Sequence, residues 1–246
     1  MTALKITKYH LNSFKHSTSI FYGIFITVNI LIAYMANRTN GNVSSSGIEF
    51  ATIIFIFVTG LNIFKESFYF MKGNNVSRKD YLIGTALSMI GFSAVLPIID
   101  VILNRVYNIF VKCPMIYDMA FGNYNSLNSG SWLQKSDLTT LLGSFLMQWG
   151  LCLGAISLGF LINLMYYRAN KLLKIVISIS PAILMIIVKF VSDNFPKLSI
   201  EILKFLNEIS LIISKNVYSV FIFFMIAFLI EIGISHVLVR RATIKE

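Results

Sequence analysis

The sequence predicts an all-α integral membrane protein with six transmembrane helices, and three observations lead to this fold class. Hydrophobic residues make up 56% of the 246 residues and charged residues only 13%, with a mean hydropathy of +0.74. Soluble domains are about 45–50% apolar and about 25% charged. The apolar residues also gather in runs long enough for a helix to cross roughly 30 Å of hydrocarbon. Strands of a membrane barrel alternate apolar and polar residues in shorter segments, so a barrel is disfavoured.

Six apolar runs are separated by short stretches of turn-forming or charged residues. We treat residues 1–246 as a single transmembrane domain. Ser178, Ser180 and Pro181 interrupt the fifth run, which is the weakest of the six. The predicted spans are Ile20–Ala36, Ile48–Phe64, Tyr81–Leu103, Leu138–Leu164, Leu172–Val191 and Val217–Val239.

The distribution of Lys and Arg between the loops predicts the orientation in the membrane. With the N-terminus inside, the cytoplasmic segments carry 13 of these residues and the longer outer segments 7. Both termini and the loop 65–80 are therefore predicted to be cytoplasmic. The net charge of +10 then marks the cytoplasmic face, and no nucleic acid partner is expected.

Three segments outside the spans have their own patterns. Residues 1–19 contain a basic amphipathic stretch that is typical of a helix in the headgroup plane, although a frayed basic tail would look similar. Residues 193–216 repeat apolar residues at helical spacing but are too polar to span, which predicts an outer amphipathic or re-entrant helix. The loop 104–137 is rich in Asn, Ser and Gly, so we expect much of it to be exposed and irregular.

Motifs of catalysis and metal binding are missing from the sequence. There is no phosphate-binding loop, no H-E-x-x-H and no G-x-S-x-G. The histidines are not spaced like ligands, and the lone thiols Cys113 and Cys152 are more typical of packing residues. We therefore predict no catalytic residue, no metal site and no cofactor bound by this chain.

Ionisable residues inside a membrane span are candidate functional residues. Asp100 and Lys189 lie at matching depths near the outer edge, so they either pair or reach water separately. Glu231 is deeper and needs neutralisation, a partner such as Arg168 or Lys174, or a water-filled cavity.

Small residues in the fourth span indicate where helices can approach one another. Gly150 and Gly154 form a G-x-x-x-G pair, the spacing that allows close packing between membrane helices. Glycine is also common in membrane helices in general, so such a pair can occur without marking a contact between helices.

The most distinctive short stretch is GNNVSRKDYLIG, which runs from Gly73 to Gly84 between two apolar spans. Ser77 followed three residues later by Asp80 is a variant of the capping box, which predicts a helix beginning near Arg78.

Six spans, a basic amphipathic start and an inner loop of the form N-V-S-R-K-D-Y-x-x-G resemble the permease subunits of bacterial exporters in the ABC-2-type permease family. The resemblance implies a multi-pass protein of the bacterial plasma membrane. It also implies that this loop docks onto a separate ATPase, which binds ATP and Mg²⁺, and that two ATPases serve two identical or homologous permeases. The docking residues that it implies are Asn75, Ser77, Arg78, Lys79, Asp80 and Tyr81.

Within that family, the chain is most similar to permeases that export amphipathic peptides or confer immunity to them, such as those for bacteriocins and phenol-soluble modulins. The expected function is ATP-driven export of a hydrophobic or amphipathic peptide. Two other classes stay open. One is a membrane scaffold with no transport path, and the other is an ion-coupled carrier, which would show broken, charge-lined helices.

Overall fold

The computed structural model describes residues 2–38, 46–122 and 133–240. Regular secondary structure in these ranges consists of nine α-helices and no strand. The helices are α1 (Thr2–Arg38), α2 (Phe50–Asn62), α3 (Phe64–Gly73), α4 (Arg78–Tyr107), α5 (Ile116–Phe121), α6 (Leu138–Arg168), α7 (Lys171–Asn194), α8 (Pro196–Ile213) and α9 (Val217–Arg240).

Six helical stretches of the described chain are long and apolar enough to cross a membrane, and each overlaps one predicted span. The prediction of an all-α chain with six such helices is confirmed. One boundary differs from the prediction. The segment 1–19 and the first span form one continuous helix, α1, because no Gly or Pro interrupts residues 2–22. The second predicted span, Ile48–Phe64, corresponds to α2, and a separate helix, α3, occupies the first half of the predicted loop 65–80.

Helix α6 lies at the centre of the bundle. It packs against α2, α4 and α9, and α1 packs against α4. Residues such as Leu153, Ile156 and Phe160 of α6 are fully buried, together with Met89 and Leu96 of α4. This core also holds together the end of α3 and the start of α4, through Phe68, Met71 and Tyr81.

Helix α7 stands apart from this core. It is the predicted fifth span, and none of its residues is buried. It packs mainly on α8, which occupies most of the segment 193–216, and only weakly on α6. A helix this apolar is stable in such exposure only where lipid or another apolar surface surrounds it.

The described part of the loop 104–137 is more ordered than expected. Helix α4 continues to Tyr107, and α5 follows after a short turn. The side-chain amide of Asn104 donates to the Cys113 carbonyl at 3.1 Å, and the Cys113 amide donates to Asn108 Oδ1 at 2.7 Å. Asparagine here satisfies backbone groups of a buried turn instead of contacting solvent, since Cys113 is 0% exposed. Residues 123–132 of the predicted loop lie outside the described residues.

Candidate functional site

The first candidate site is the turn between α3 and α4. Helix α3 ends at Gly73, and Asn75 has a positive φ of 55°, a conformation that Asn tolerates better than most residues. Ser77 is the N-cap of α4, and its Oγ accepts a hydrogen bond from the Asp80 amide at 3.0 Å. The same hydroxyl donates to Asp80 Oδ2 at 2.8 Å. The predicted Ser77–Asp80 cap is confirmed, and it fixes where α4 begins.

The residues of this turn divide into an exposed and a buried group. Asn75, Ser77 and Lys79 are exposed, and Arg78 is half-buried with its guanidinium donating to the backbone carbonyl of Arg240 at the end of α9. Tyr81, in contrast, is 1% exposed. The structure therefore places Tyr81 in the core, and a partner that docks on this conformation does not reach it.

Tyr81 anchors the turn to the bundle. Its Oη lies 2.8 Å from Ser67 Oγ on α3, and its ring contacts those of Phe64 and Phe68 edge to face. His10 of α1 contacts the Tyr81 ring as well. Ser77, the exposed cap residue, therefore lies four residues before Tyr81, whose side chain joins α1, α3 and α4.

A second candidate site is a buried polar network around Asp100 on α4. Asp100 is 2% exposed. Its Oδ1 accepts hydrogen bonds from Tyr22 Oη at 2.8 Å and Thr52 Oγ1 at 3.1 Å, and its Oδ2 accepts one from Gln148 Nε2 at 3.3 Å. Four helices, α1, α2, α4 and α6, therefore meet at one carboxyl group.

Glu49 lies next to this network, directly before α2. It is 1% exposed, and neither of its carboxylate oxygens has a hydrogen-bond partner among the described residues. The pKa of Glu49 is raised to about 7, mainly by burial and also by the nearby carboxylates of Asp100 and Asp118, while the backbone amides of Glu49 and Ile116 offset part of this rise. Burial also raises the pKa of Asp118, although its Oδ2 accepts a hydrogen bond from the Met115 amide at 3.0 Å.

The charged residues predicted inside the spans have different partners from those expected. Asp100 bonds to neutral side chains and does not pair with Lys189, which is exposed on α7. Since α7 stands outside the core, matching depth in the membrane did not bring the two residues together. Glu231 is half-buried and accepts a hydrogen bond from Ser157 of α6, a neutral partner that was not expected.

The predicted glycine pair lies under an aromatic ring. A Cβ on Gly154 would be 2.8 Å from Phe224 Cδ1 of α9, and one on Gly150 would be 3.3 Å from Phe224 Cδ2. The closest backbone approach is elsewhere, between Gly60 of α2 and Gly159 of α6. A Cβ on Gly60 would overlap the Ile156 carbonyl oxygen, and a Cβ on Gly159 would overlap that of Phe57.

Sequence reasoning missed the neutral members of the Asp100 network and its neighbour Glu49. Gln148 and Tyr22 are polar groups within apolar runs, and a search that included uncharged polar residues would have found them. Among the residues that the structure describes, no group of three or more His, Cys, Asp or Glu is placed to hold a metal ion.

Comparison with known proteins gives no further guide to the function. No family model, curated protein or solved structure matches the chain. The function has to be argued from the residues and contacts above.

Proposed function

We propose that this chain is the membrane-spanning permease subunit of an ATP-driven exporter of the ABC type, coupled to a separate ATPase through residues 65–80. The chain itself is not an enzyme in this proposal, and ATP and Mg²⁺ bind to the partner. The membrane is the plasma membrane of a bacterium, and both termini lie in the cytoplasm. A second permease, identical or homologous, completes the transporter.

One observation carries the proposal. The turn between α3 and α4 presents exposed polar and cationic residues, while its flanks are locked into the core by Phe68 and Tyr81. A partner that moves Lys79 would therefore move α3 and α4 together. Packed interiors shift as units instead of deforming continuously, so such a movement would reach the bundle.

Helix stability does not explain the two cations at the start of α4. The N-terminus of a helix carries partial positive charge, and Arg78 and Lys79 in the first turn oppose it by about 0.3–1 kcal/mol each. Cytoplasmic loops favour Lys and Arg in general. The combination of a Ser cap, a stiff turn and two cations is what favours a docking surface over simple membrane anchoring.

The substrate that suits this bundle is a hydrophobic or amphipathic peptide. Most of the large side chains on the outer faces of the helices are apolar, and ionisable groups such as Asp100 are already bonded inside the bundle. In this proposal the path runs along these apolar faces, between the chain and the second permease, where a highly charged solute would meet few polar groups and would lose its hydration.

The test is removal of the two cations. We expect the Arg78→Ala/Lys79→Ala variant to lose most of the ATPase that copurifies with the wild-type chain from native membranes, where mass spectrometry identifies the ATPase by its phosphate-binding loop. The Lys204→Ala/Lys215→Ala variant is a matched control, because it removes the same charge from exposed residues predicted to face outward. Equal recovery of the ATPase with both variants would refute the docking surface.

An ion-coupled carrier is a second candidate, and one observation favours it. Asp100 is a buried carboxyl group at the meeting point of four helices. Buried ionisable groups inside the spans are a feature of ion-coupled transporters. Transport that persists after ATP depletion and stops when the proton gradient is collapsed would favour the carrier over the exporter.

A further inference from the structure

A cavity of about 300 Å³ lies between α1 and the junction of α2 and α3. Its size is at the lower end of the range for small-molecule sites, about 300–1,000 Å³. Helix α1 contributes Tyr9, His10, Ser13, Phe14 and Ser17, and the facing wall includes Thr59 and Glu66. None of these residues belongs to the α3–α4 turn or to the Asp100 network.

Three polar groups of the wall each donate one hydrogen bond to a carbonyl of their own helix. Thr59 Oγ1 donates to the Phe55 carbonyl at 2.9 Å, Ser17 Oγ donates to the Phe14 carbonyl at 3.1 Å, and one N–H of the Asn62 side-chain amide donates to the Val58 carbonyl at 2.8 Å. A hydroxyl group has one hydrogen, so the oxygens of Thr59 and Ser17 remain available only as acceptors, while Asn62 keeps its Oδ1 acceptor and a second N–H. The wall near Thr59 and Ser17 therefore favours a ligand that donates hydrogen bonds.

The charge of the wall favours a cationic ligand. Glu66 is the one acidic lining residue, and the lining residues, all within the described part of the chain, include no Lys or Arg. His10, the other titratable group with a basic nitrogen, uses Nε2 in a 3.2 Å hydrogen bond with Thr85. An anionic group such as phosphate would meet a carboxylate here, whereas an ammonium group would meet a counter-ion.

The apolar residues of the wall provide the rest of the site. The rings of Tyr9 and Phe55 stand beside the polar groups, and aromatic rings attract cations electrostatically. Val58 is exposed next to Phe55, so a hydrocarbon chain can leave the cavity along α2. A ligand that combines a cationic group with an apolar chain fits both the polar and the apolar residues of the wall.

We propose that this cavity binds the primary ammonium group of an amphiphile, with Glu66 as counter-ion and the side-chain oxygen of Asn62, one helical turn away, as hydrogen-bond acceptor. The hydrocarbon or apolar part lies along Phe55 and Val58. The ammonium group can belong to a lipid headgroup or to the amine of an amphipathic peptide. The inference does not depend on the ATPase, and its test needs none.

The test uses the purified chain in phosphatidylcholine nanodiscs and dodecylammonium with a fluorophore at the far end of its hydrocarbon chain. We expect saturable binding by fluorescence anisotropy and a loss of about two- to fivefold in the Glu66→Gln variant, because Glu66 is exposed and solvent weakens an exposed ion pair. Asn62→Leu keeps the approximate size of the side chain and removes an acceptor, so a smaller loss of affinity is expected. Glu201→Gln is the control, because it removes an exposed carboxylate on α8 and should bind as the wild type does.

Ammonium chemistry is tested by competition. Dodecyltrimethylammonium has the same charge and no N–H donor, so it should compete more weakly than unlabelled dodecylammonium, and dodecyl phosphate should compete least. Equal competition by all three, or unchanged binding by Glu66→Gln with an unchanged melting temperature, would overturn the proposal.

Two further competition experiments decide whether the ammonium group belongs to a lipid or to a peptide. Competition by phosphatidylethanolamine in the nanodisc would assign the site to a lipid. Competition by a cationic amphipathic peptide, lost when its amines are acetylated, would assign the site to a peptide. Failure of both to compete would overturn the assignment to a natural amphiphile of the membrane.

Discussion

Glu49 is the residue whose surroundings conflict most with its chemistry. Its carboxyl group is 1% exposed and stands beside two other carboxylates, with no hydrogen-bond partner among the described residues. A buried carboxylate in such a place is costly in its charged form and acceptable when it is protonated. Glu49 therefore makes the stability of this end of the bundle depend on pH.

The sign of this dependence follows from the pKa of Glu49, which is about 7 in the folded protein against an ordinary value of 4.5. The folded protein holds this proton more tightly than the unfolded chain does, so the proton stabilises the fold fully below pH 4.5. That stabilisation is lost as the pH rises towards 7. The difference amounts to roughly 3 kcal/mol at most, at about 1.4 kcal/mol per pH unit.

We expect Glu49→Gln to remove this pH-dependent contribution to the stability of the fold. At pH 5 the variant and the wild type should melt at similar temperatures, while at pH 8 the variant should be the more stable because Gln carries no charge. Thermal unfolding in detergent at the two pH values measures the difference. Glu201→Gln, on the exposed surface of α8, should show no such pH-dependent difference. A melting-temperature gap between Glu49→Gln and the wild type that is the same at both pH values would contradict the assignment.

At the scale of helices, the contact between α2 and α6 depends on two glycines. Gly60 and Gly159 face each other so closely that a Cβ on either would overlap a backbone carbonyl of the opposite helix. Backbone atoms cannot move aside as the end of a flexible side chain can. The separation of these two helices is therefore set by the absence of a side chain at both positions.

The Gly159→Ala substitution should separate α2 from α6 and destabilise the bundle by about 1–3 kcal/mol, the usual cost of overpacking. In a chain of this size the melting temperature should fall by roughly 2–4 °C per kcal/mol. Gly91→Ala is the matched control, because a Cβ there meets nothing within 4 Å. Since Ala is the better helix former, that variant should melt at the same temperature or higher. Equal melting temperatures for the two alanine variants would contradict the close contact.

At the scale of the whole molecule, the bundle has two unequal parts. Helices α1 to α4, α6 and α9 share a core, whereas α7 and α8 extend from it with their surfaces exposed. A long apolar helix in this position needs lipid or a second apolar surface around it. The proposed pairing of two permeases would provide such a surface.

The orientation of the whole bundle is tested by labelling in intact cells. We expect a membrane-impermeant maleimide to leave Asn74→Cys unlabelled until the cells are permeabilised, and to label Lys215→Cys at once, because the Lys and Arg distribution places these positions on opposite sides. Asn74 is exposed and has a negative φ, unlike Asn75, so Cys fits there without strain. The native Cys113 and Cys152 are 0% exposed and should give little background. Immediate labelling of Asn74→Cys would show that the topology is the reverse of the predicted one. The exporter proposal would then lose its basis.

Local features were predictable from the sequence. The six apolar helices follow from hydropathy summed over about 20 residues, a property that needs no knowledge of neighbours. The start of α4 follows from Ser77 and Asp80, which are three residues apart and bond to each other in the structure. The end of α2 at Asn62 lies within two residues of the predicted end of the second span at Phe64, where the charged residues Lys65 and Glu66 follow the apolar run.

Contacts between distant residues were decided only by the tertiary structure. Asp100 meets Tyr22 across 78 positions and Thr52 across 48, Tyr81 turns inward to Ser67, and Gly60 faces Gly159. These pairings depend on how each helix is rotated about its axis and how far it is shifted along its neighbours. In a membrane helix that is apolar on nearly every face, the hydrophobic pattern leaves rotation and shift undetermined, so close packing and buried hydrogen bonds set them instead.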